Sequence, residues 1–390
     1  MRVTHIITRL VIGGAQENTV ATVLGLCARP DLKVDLISGP TLGPEGSMES
    51  SFAAVPGVLT IVPPLVRPVS PWHDLRAAQS LTSLIRARQP DIVHTHSGKA
   101  GILGRLAARR AHVPVIIHHI HGPSFGSFQG AIANACFLAA ERFAGRLTTH
   151  FLCSAEAMTR RYLAVGIGRP EMYTRIFSGF KLEPFFAARN DPGFRAKLGL
   201  PPDVFVIGKI GRLSPLKGHD ALFSAAPLIL NEVPQARFLL LGDGPLRSQL
   251  QNRVNSIDLA DKVIFAGLVE PAEVAKYLGV MDCVMHLSSR EAVSRALPQA
   301  LAAGKPVVAY DFDGADEVCI DSKTGFLINS GDFTAAAHAV VALARDPSLR
   351  KQFGETGRQF VAEHFAVEKM VDTIHQLYAR LLSRSPKQGN

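Results

Sequence analysis

Short apolar runs alternate with longer stretches of helical periodicity, and the alternation occurs twice. In the first half the runs at 3–7, 34–37, 92–94, 115–118 and 151–153 are nearly continuous in apolar character, as strands covered on both faces are, and each is followed by an amphipathic pattern. After a loop around 178–186 and a polar, proline-containing piece at 189–193, the series restarts at 204–210, 236–241, 263–266, 283–286 and 306–309. Strands alternating with helices predict parallel α/β layers. We therefore expect two Rossmann-like α/β domains, 1–188 and 189–365. Closing helices are expected over about 333–363, followed by a last amphipathic segment within 366–390 carrying Met370, Ile374, Tyr378 and Leu381 at helical spacing. That stripe reads as packing, and the segment can serve either domain.

At 390 residues the chain is long enough for two cores, and two domains leave a cleft between them. Apolar residues make up 47%, yet no uninterrupted apolar run reaches the roughly 18 residues of a spanning helix. The start, MRVTHIITRLVIGGAQ, runs from strand into glycine loop and lacks the features of a signal peptide, so a cytoplasmic protein is expected. Cys27, Cys136, Cys153, Cys283 and Cys319 are odd in number and widely spaced, and they read as buried, reduced thiols. The net charge of +9 is one-sided. Positions 1–190 carry 20 Lys and Arg against 11 Asp and Glu, and the remainder carries 22 against 22. An acidic partner for the first half follows, such as an anionic lipid surface, a phosphorylated carrier or an acidic glycan, although a plain solubility surplus fits as well. No nucleic-acid recognition motif is present. Two segments suit an anionic membrane: 99–110, with Arg105, Arg109 and Arg110 beside Ile102, Leu103 and Leu106, and 124–129, with Phe125 and Phe128. An ordinary amphipathic core helix explains the first equally well.

Open parallel sheets bind ligands beyond the carboxyl ends of their strands, so the chemistry is sought in the loops that follow them. After the strand FVIGKI comes GRLSPLKG, in which Arg212 and Lys217 lie between two glycines ahead of a helix starting near His219. Arginine grips phosphate oxygens in bidentate fashion, lysine adds a mobile charge, and a helix start lends backbone donors, so the loop reads as a diphosphate site that needs no metal. Gly13 and Gly14 between the first strand and its helix permit close backbone approach to a phosphate, although a tight turn with no ligand would look the same. Neither loop matches GxGxxG or GxxxxGK[ST], which argues against a dinucleotide oxidoreductase and a P-loop NTPase. Within SSREAVSRALPQALAAGKPVVA, Glu291 precedes a helix that Pro298 places in its first turn, with a start between Ser294 and Leu297. Gln299 follows Glu291 by eight positions. A carboxylate and an amide near a helix start suit a phosphorylated, hydroxyl-rich ligand, and they equally suit a solvated cap. His94 and His96 share a strand face near His118, His119 and His121, which admits a zinc reading, but no acidic residue with ligand spacing joins them.

Taken together, GGAQ, VHTHSGKAGILGRLAA, HHIHG, GRLSPLKG, LGDGP and REAVSRALPQALAAGKPVV resemble the retaining glycosyltransferases of family 4, over nearly the whole chain and in the same order. The resemblance implies a GT-B fold, in which two Rossmann-like domains face each other and the terminal helix crosses back to the first. It also implies a nucleotide diphosphate sugar as donor, a glycan or lipid-linked acceptor, work on cell-surface polysaccharide or glycoconjugates, and no cofactor or metal. By position, Arg212 and Lys217 resemble the pair that neutralises the donor diphosphate, and Gly13 and Gly14 the loop facing it. Glu291 and His121 match residues set beside the transferred sugar, the amides near Val293 and Ser294 approach sugar and phosphate, and Gln299 takes the place of the ribose-binding Glu. The family's usual Gly and Pro after the first Glu are here Ala292 and Ser294, and Lys181 replaces a common acid. Two other readings stay open: a GT-B-like sugar-nucleotide epimerase, and a sugar-nucleotide-binding protein without catalysis.

Overall fold

A computed structural model describes residues 1–42, 46–126 and 128–384. Among the described residues two sheets form, every strand pair in them parallel. The first contains β1 (Arg2–Ile7), β2 (Lys33–Ser38), β3 (Leu59–Ile61), β4 (Ile92–His96), β5 (Val115–Ile120), β6 (His150–Cys153) and β7 (Tyr173–Arg175) in the spatial order β3-β2-β1-β4-β5-β6-β7. The second contains β8 (Val206–Ile210), β9 (Arg237–Leu241), β10 (Val263–Gly267), β11 (Cys283–His286), β12 (Val307–Asp311) and β13 (Gly325–Asn329) in the order β10-β9-β8-β11-β12-β13. Three strands absent from the sequence reading, β3, β7 and β13, are all edge strands, where one side lacks a partner and a continuous apolar run is not required.

Helices cover the faces because strand residues alternate sides. In the first unit Val3, Ile7, Ile92 and Ile117 pack on one face against the helices Gly14–Cys27 and Val367–Arg384, while Ile6, Val93 and Ile116 pack on the other with Leu81 and Ala107. In the second, Ile207, Phe238, Leu240 and Met285 meet Leu222, Ala226, Val340 and Leu343.

The chain divides into two compact units, Met1–Phe180 together with the chain from Val367 onward, and Lys181–Ala366. The break therefore falls at 180/181 rather than 188/189. The short helix Glu183–Phe186 explains the shift: Phe185 is buried, Arg358 donates to the Phe186 carbonyl at 2.7 Å, and its guanidinium lies over the Phe186 ring. The terminal helix belongs to the first unit. It approaches the helix Gly14–Cys27 so closely that a Cβ on Gly25 would meet Val371 at 2.5 Å, and Arg29–Asp372 and His375–Asp31 pairs flank the contact. Positions 385–390 of the expected terminal segment lie outside the described residues.

Several surface expectations are corrected. Arg105 does not face lipid: it is fully buried, its Nε donating to the Gly101 carbonyl at 2.8 Å and its guanidinium paired with buried Glu141 at 2.7 Å. Lys99 is likewise engaged, with Asp74 and the carbonyls of Val66 and Pro68. Phe125 is buried against Tyr162, which removes it from any lipid-facing set, and Ser127 of that loop lies outside the described residues. Cys153, Cys283 and Cys319 are buried, whereas Cys136 is exposed and Cys27 half-buried. Exposed apolar side chains of the first unit occur instead at Ile132 and Phe143 on the helix Ala131–Gly145, and at Val69, Trp72 and Leu75 around the start of the helix Pro71–Arg88.

Candidate active site

In each sheet the strand order reverses once, between β1 and β4 and between β8 and β11, and a crevice opens beyond the strand ends at such a reversal. The residues singled out from sequence gather beside these two points.

In the second unit, the loop after β8 and the loop after β11 are tied together. The Leu216 carbonyl accepts from the Ser289 amide at 2.9 Å and from the Ser288 hydroxyl at 3.0 Å. Leu216 pays for this position with a left-handed backbone, φ 68°, and Gly218 after it has φ 73° and lies so close to Leu287 that an added Cβ would fall 1.9 Å from the Leu287 carbonyl oxygen. Only glycine fits there. Lys217 is half-buried and forms an ion pair with Glu291, while Arg212 is exposed at the loop's entrance. The Glu291 amide donates to Asp313 at 3.0 Å, and Gly314 donates to the Ala292 carbonyl at 2.9 Å, which fixes the segment that also carries Val293 and Ser294. The helix begins at Ala296, within the expected interval, and holds Gln299 nearly buried. With seven residues, Ala296–Ala302, it is too short for its dipole to be a major source of anion affinity, so the charge at this place comes from side chains.

Beneath the ion pair lie polar groups that the sequence reading missed, because they sit within apolar strands. Lys209 of β8 is buried, and burial, reinforced by the nearby Lys217 charge and opposed by Glu291, lowers its pKa to about 7. His286, at the end of β11, is buried with neither ring nitrogen hydrogen-bonded among the described residues, its Nε2 3.9 Å from Glu291. Burial first, and then the charges of Lys209, Lys217 and His219, hold it far below the ordinary histidine range. A lysine in a strand otherwise composed of VIGI was the available signal.

In the first unit Gly13 caps the helix Gly14–Cys27 in extended conformation. His121 follows β5 directly and is partly exposed. It ends a row of histidines set by register: His5 pairs with His94 across β1 and β4, and His96 with His119 across β4 and β5. All share the sheet face covered by the terminal helix, whereas His118 faces the other side and meets Thr95 Oγ1 at 2.9 Å. His5 Nδ1 lies 2.9 Å from His96 Nε2, and His96 Nδ1 lies 3.0 Å from His121 Nε2. Tyr378 of the terminal helix is 2.6 Å from His94 Nδ1 and 3.4 Å from His5 Nε2. Burial keeps these rings neutral, lowering the pKa of His5 and of His121 to about 3 and those of His94, His96 and His119 well below the usual value. Two trios, His5–His94–His96 and His96–His119–His121, bring ring nitrogens within 4.8 Å of one another.

The sequence family described as glycosyl transferases group 1 matches residues 190–360, and the glycosyl transferase 4-like domain matches 13–176. An Escherichia coli UDP-Gal:alpha-D-GlcNAc-diphosphoundecaprenol alpha-1,3-galactosyltransferase is 30% identical over 321 residues, 81% of this chain and 82% of that protein. The Staphylococcus aureus capsular polysaccharide biosynthesis glycosyltransferase CapM is 24% identical over 334 residues, 83% of this chain and 85% of that one. In fold, Thermosynechococcus elongatus sucrose-phosphate synthase superposes with a TM-score of 0.84 at 20% identity, covering 99% of this chain and all of that one. Anabaena HepE in complex with UDP-glucose gives 0.82 at 21%, covering 97% of this chain and all of that one. The two parallel-sheet units are those of the GT-B glycosyltransferases, and this chain belongs to the group 1, family 4-like glycosyl transferases.

Proposed function

We propose that the protein is a retaining, metal-independent glycosyltransferase that moves a sugar from a nucleoside diphosphate sugar to a glycan or lipid-linked acceptor in the synthesis of a cell-surface polysaccharide or glycoconjugate. The observation that carries this reading is the locked pair of loops after β8 and β11, which holds Lys217 against Glu291 with Arg212 at the entrance. Breaking a glycosidic bond to a diphosphate leaves negative charge on the departing phosphate, and fixed cations stabilise that charge as it forms. Lys217 and Arg212 supply them. A partly exposed ion pair is worth little, so an incoming diphosphate can replace Glu291 at Lys217 and release the carboxylate to accept from sugar hydroxyls. Val293 and Ser294 present backbone amides beside it, and Gln299 binds the ribose through its amide oxygen and nitrogen. In the first unit, Gly13 and Gly14 are proposed as phosphate contacts and His121 as a sugar contact. Sugar transfer then proceeds on the face the leaving group vacates, with the departing phosphate accepting the attacking hydroxyl's proton.

The E. coli relative's name gives UDP-galactose as donor and a diphosphoundecaprenol-linked sugar as acceptor, and two HepE structures hold UDP-glucose or UDP with glucose. We take a UDP-sugar and a diphospholipid-linked acceptor as the first pair to test. No described helix is long and apolar enough to cross a membrane, so contact of its helices with lipid is proposed to be peripheral, at the cytoplasmic face, through the basic first unit and the exposed Ile132 and Phe143. The experiment is transfer from a panel of nucleotide sugars to such an acceptor, with the product's anomeric configuration read by NMR. An α-linked product from an α-configured donor is expected. A β-linked product would contradict retention, and nucleotide binding without transfer or hydrolysis would contradict catalysis.

A further inference from the structure

We propose that Tyr378, His5 and His96 form a single hydrogen-bonded chain that fixes the tautomer of His121, leaving His121 Nδ1 as a lone pair for a ligand hydroxyl. This rests on the reading of His121 as a ligand-facing residue, and it adds three positioning residues from β1, β4 and the terminal helix.

The geometry distinguishes such a chain from a metal site. His5 and His96 have ring centroids 5.2 Å apart at 17°, and His96 and His121 have centroids 5.3 Å apart at 18°. These separations equal the N···N distances of 2.9 and 3.0 Å plus one ring radius at each end, so each pair meets head-on. A nitrogen lone pair aimed straight at its neighbour's nitrogen is the geometry of N–H···N. A shared ion instead requires lone pairs that converge on a point off that line. His119 and His121 fail the same requirement in another way, for they stack with centroids 4.0 Å apart at 21°, which keeps their lone pairs nearly parallel.

A neutral imidazole has one donor and one acceptor nitrogen, so each contact dictates the next. Because Nδ1 of one ring always meets Nε2 of the following ring, His5, His96 and His121 must share one tautomer. Tyr378, whose hydroxyl burial keeps protonated, selects which. Its single hydrogen goes to the nearer nitrogen, His94 Nδ1 at 2.6 Å, and its oxygen then accepts from His5 Nε2–H at 3.4 Å. His5 Nδ1 therefore accepts from His96 Nε2–H, and His96 Nδ1 accepts from His121 Nε2–H. His94 Nε2 has no partner among the described residues, so this polarity leaves it an unpaired N–H where the reverse would leave a bare lone pair; the 2.6 Å contact, short for N–H···O and ordinary for O–H···N, is what favours the hydroxyl as donor. Hydrogen bonds aligned in this way polarise one another, and the orientation of the outermost ring becomes a property of the buried end. His121 is thereby a hydrogen-bond acceptor toward the ligand.

Long-range 1H–15N correlation of the ligand-free protein labelled with 15N-histidine tests this without reference to activity, with signals assigned through single His→Asn variants. The expected result is Nε2–H on His5, His96 and His121 alike. Mixed tautomers, or Nδ1–H on His121, would overturn the proposal. In Tyr378→Phe, where His5 Nε2–H loses its acceptor, the three should move together toward Nδ1–H; unchanged tautomers would overturn the role of Tyr378. A hydroxyl can rotate to suit either tautomer, whereas a C–F group can only accept. Across a series of monodeoxyfluoro nucleotide sugars, one analogue should therefore bind wild type about tenfold more weakly than its parent and recover in Tyr378→Phe. Equal penalties in the two proteins would overturn the link from chain to ligand, whatever the tautomers. Failure of sugar transfer alone would overturn the proposed function and leave the tautomer result standing.

Discussion

The two units place polar groups at equivalent points of their sheets and use them in opposite ways. At the β1–β4 reversal the side chains are histidines that burial keeps neutral, and His5, His96 and His121 meet one another in line. At the β8–β11 reversal a lysine and a glutamate, half-buried, and an exposed arginine are held by loops locked through Leu216, above buried Lys209 and His286. The first arrangement can recognise hydroxyls but cannot neutralise a phosphate. The second can neutralise a phosphate, and its flexible side chains impose less direction. A transferase needs both, because leaving-group departure calls for charge and the choice of sugar calls for geometry.

The largest effect should come from breaking the charged side. Lys217→Ala is expected to lower donor turnover about a thousandfold in steady-state assays with circular dichroism unchanged, because it removes a cation from the departing phosphate. If turnover in the folded variant matches wild type, the charge that matters lies elsewhere. Charge in the first unit has a structural task, and Arg105→Met should show it: stranding buried Glu141 should cost about 3 kcal/mol in urea unfolding, with most of that restored when Glu141→Leu is added. A loss that the double variant does not restore would mean that Arg105 acts through packing alone.

The units should also part company with pH. Unfolded histidine takes up a proton near pH ~6.5, while folded His5 and His121 resist it until about 3. Their contribution to stability is present above pH ~6.5 and is lost as pH falls toward 3, so acid should open the first unit before the second in hydrogen exchange. Lys209 acts in the same sense at higher pH. Unfolded lysine keeps its proton to about pH 10 while the buried amine releases it at about 7, so its burial penalty lifts as pH rises from 7 toward 10. Lys209→Met should abolish that rise, as read by the thermal midpoint across this interval. The smallest change should be Gln299→Glu, about threefold in donor affinity with turnover nearly constant, since the replacement alters charge and leaves reach intact. A large gain in turnover would mean that Gln299 impairs the native site.

Sequence showed the central strands because burial on both faces demands apolar runs, and it missed β3, β7 and β13 because half-exposed edges do not. The loops bearing Arg212, Lys217 and Glu291 were legible from glycine, proline and charge spacing. What stayed hidden depends on partners distant along the chain. Arg105 looked lipid-facing because Glu141 is 36 positions away, and Tyr378 looked like one more packing residue because its hydroxyl meets histidines over 280 positions earlier. Lys209 and His286 were concealed within strands whose neighbours are apolar.

If protein cations, rather than a bound ion, carry the departing diphosphate, nucleotide-sugar turnover by the wild-type protein should run at the same rate in excess EDTA as without chelator. Loss of turnover on chelation, restored by Mn2+ or Zn2+, would mean that a metal ion carries that charge instead.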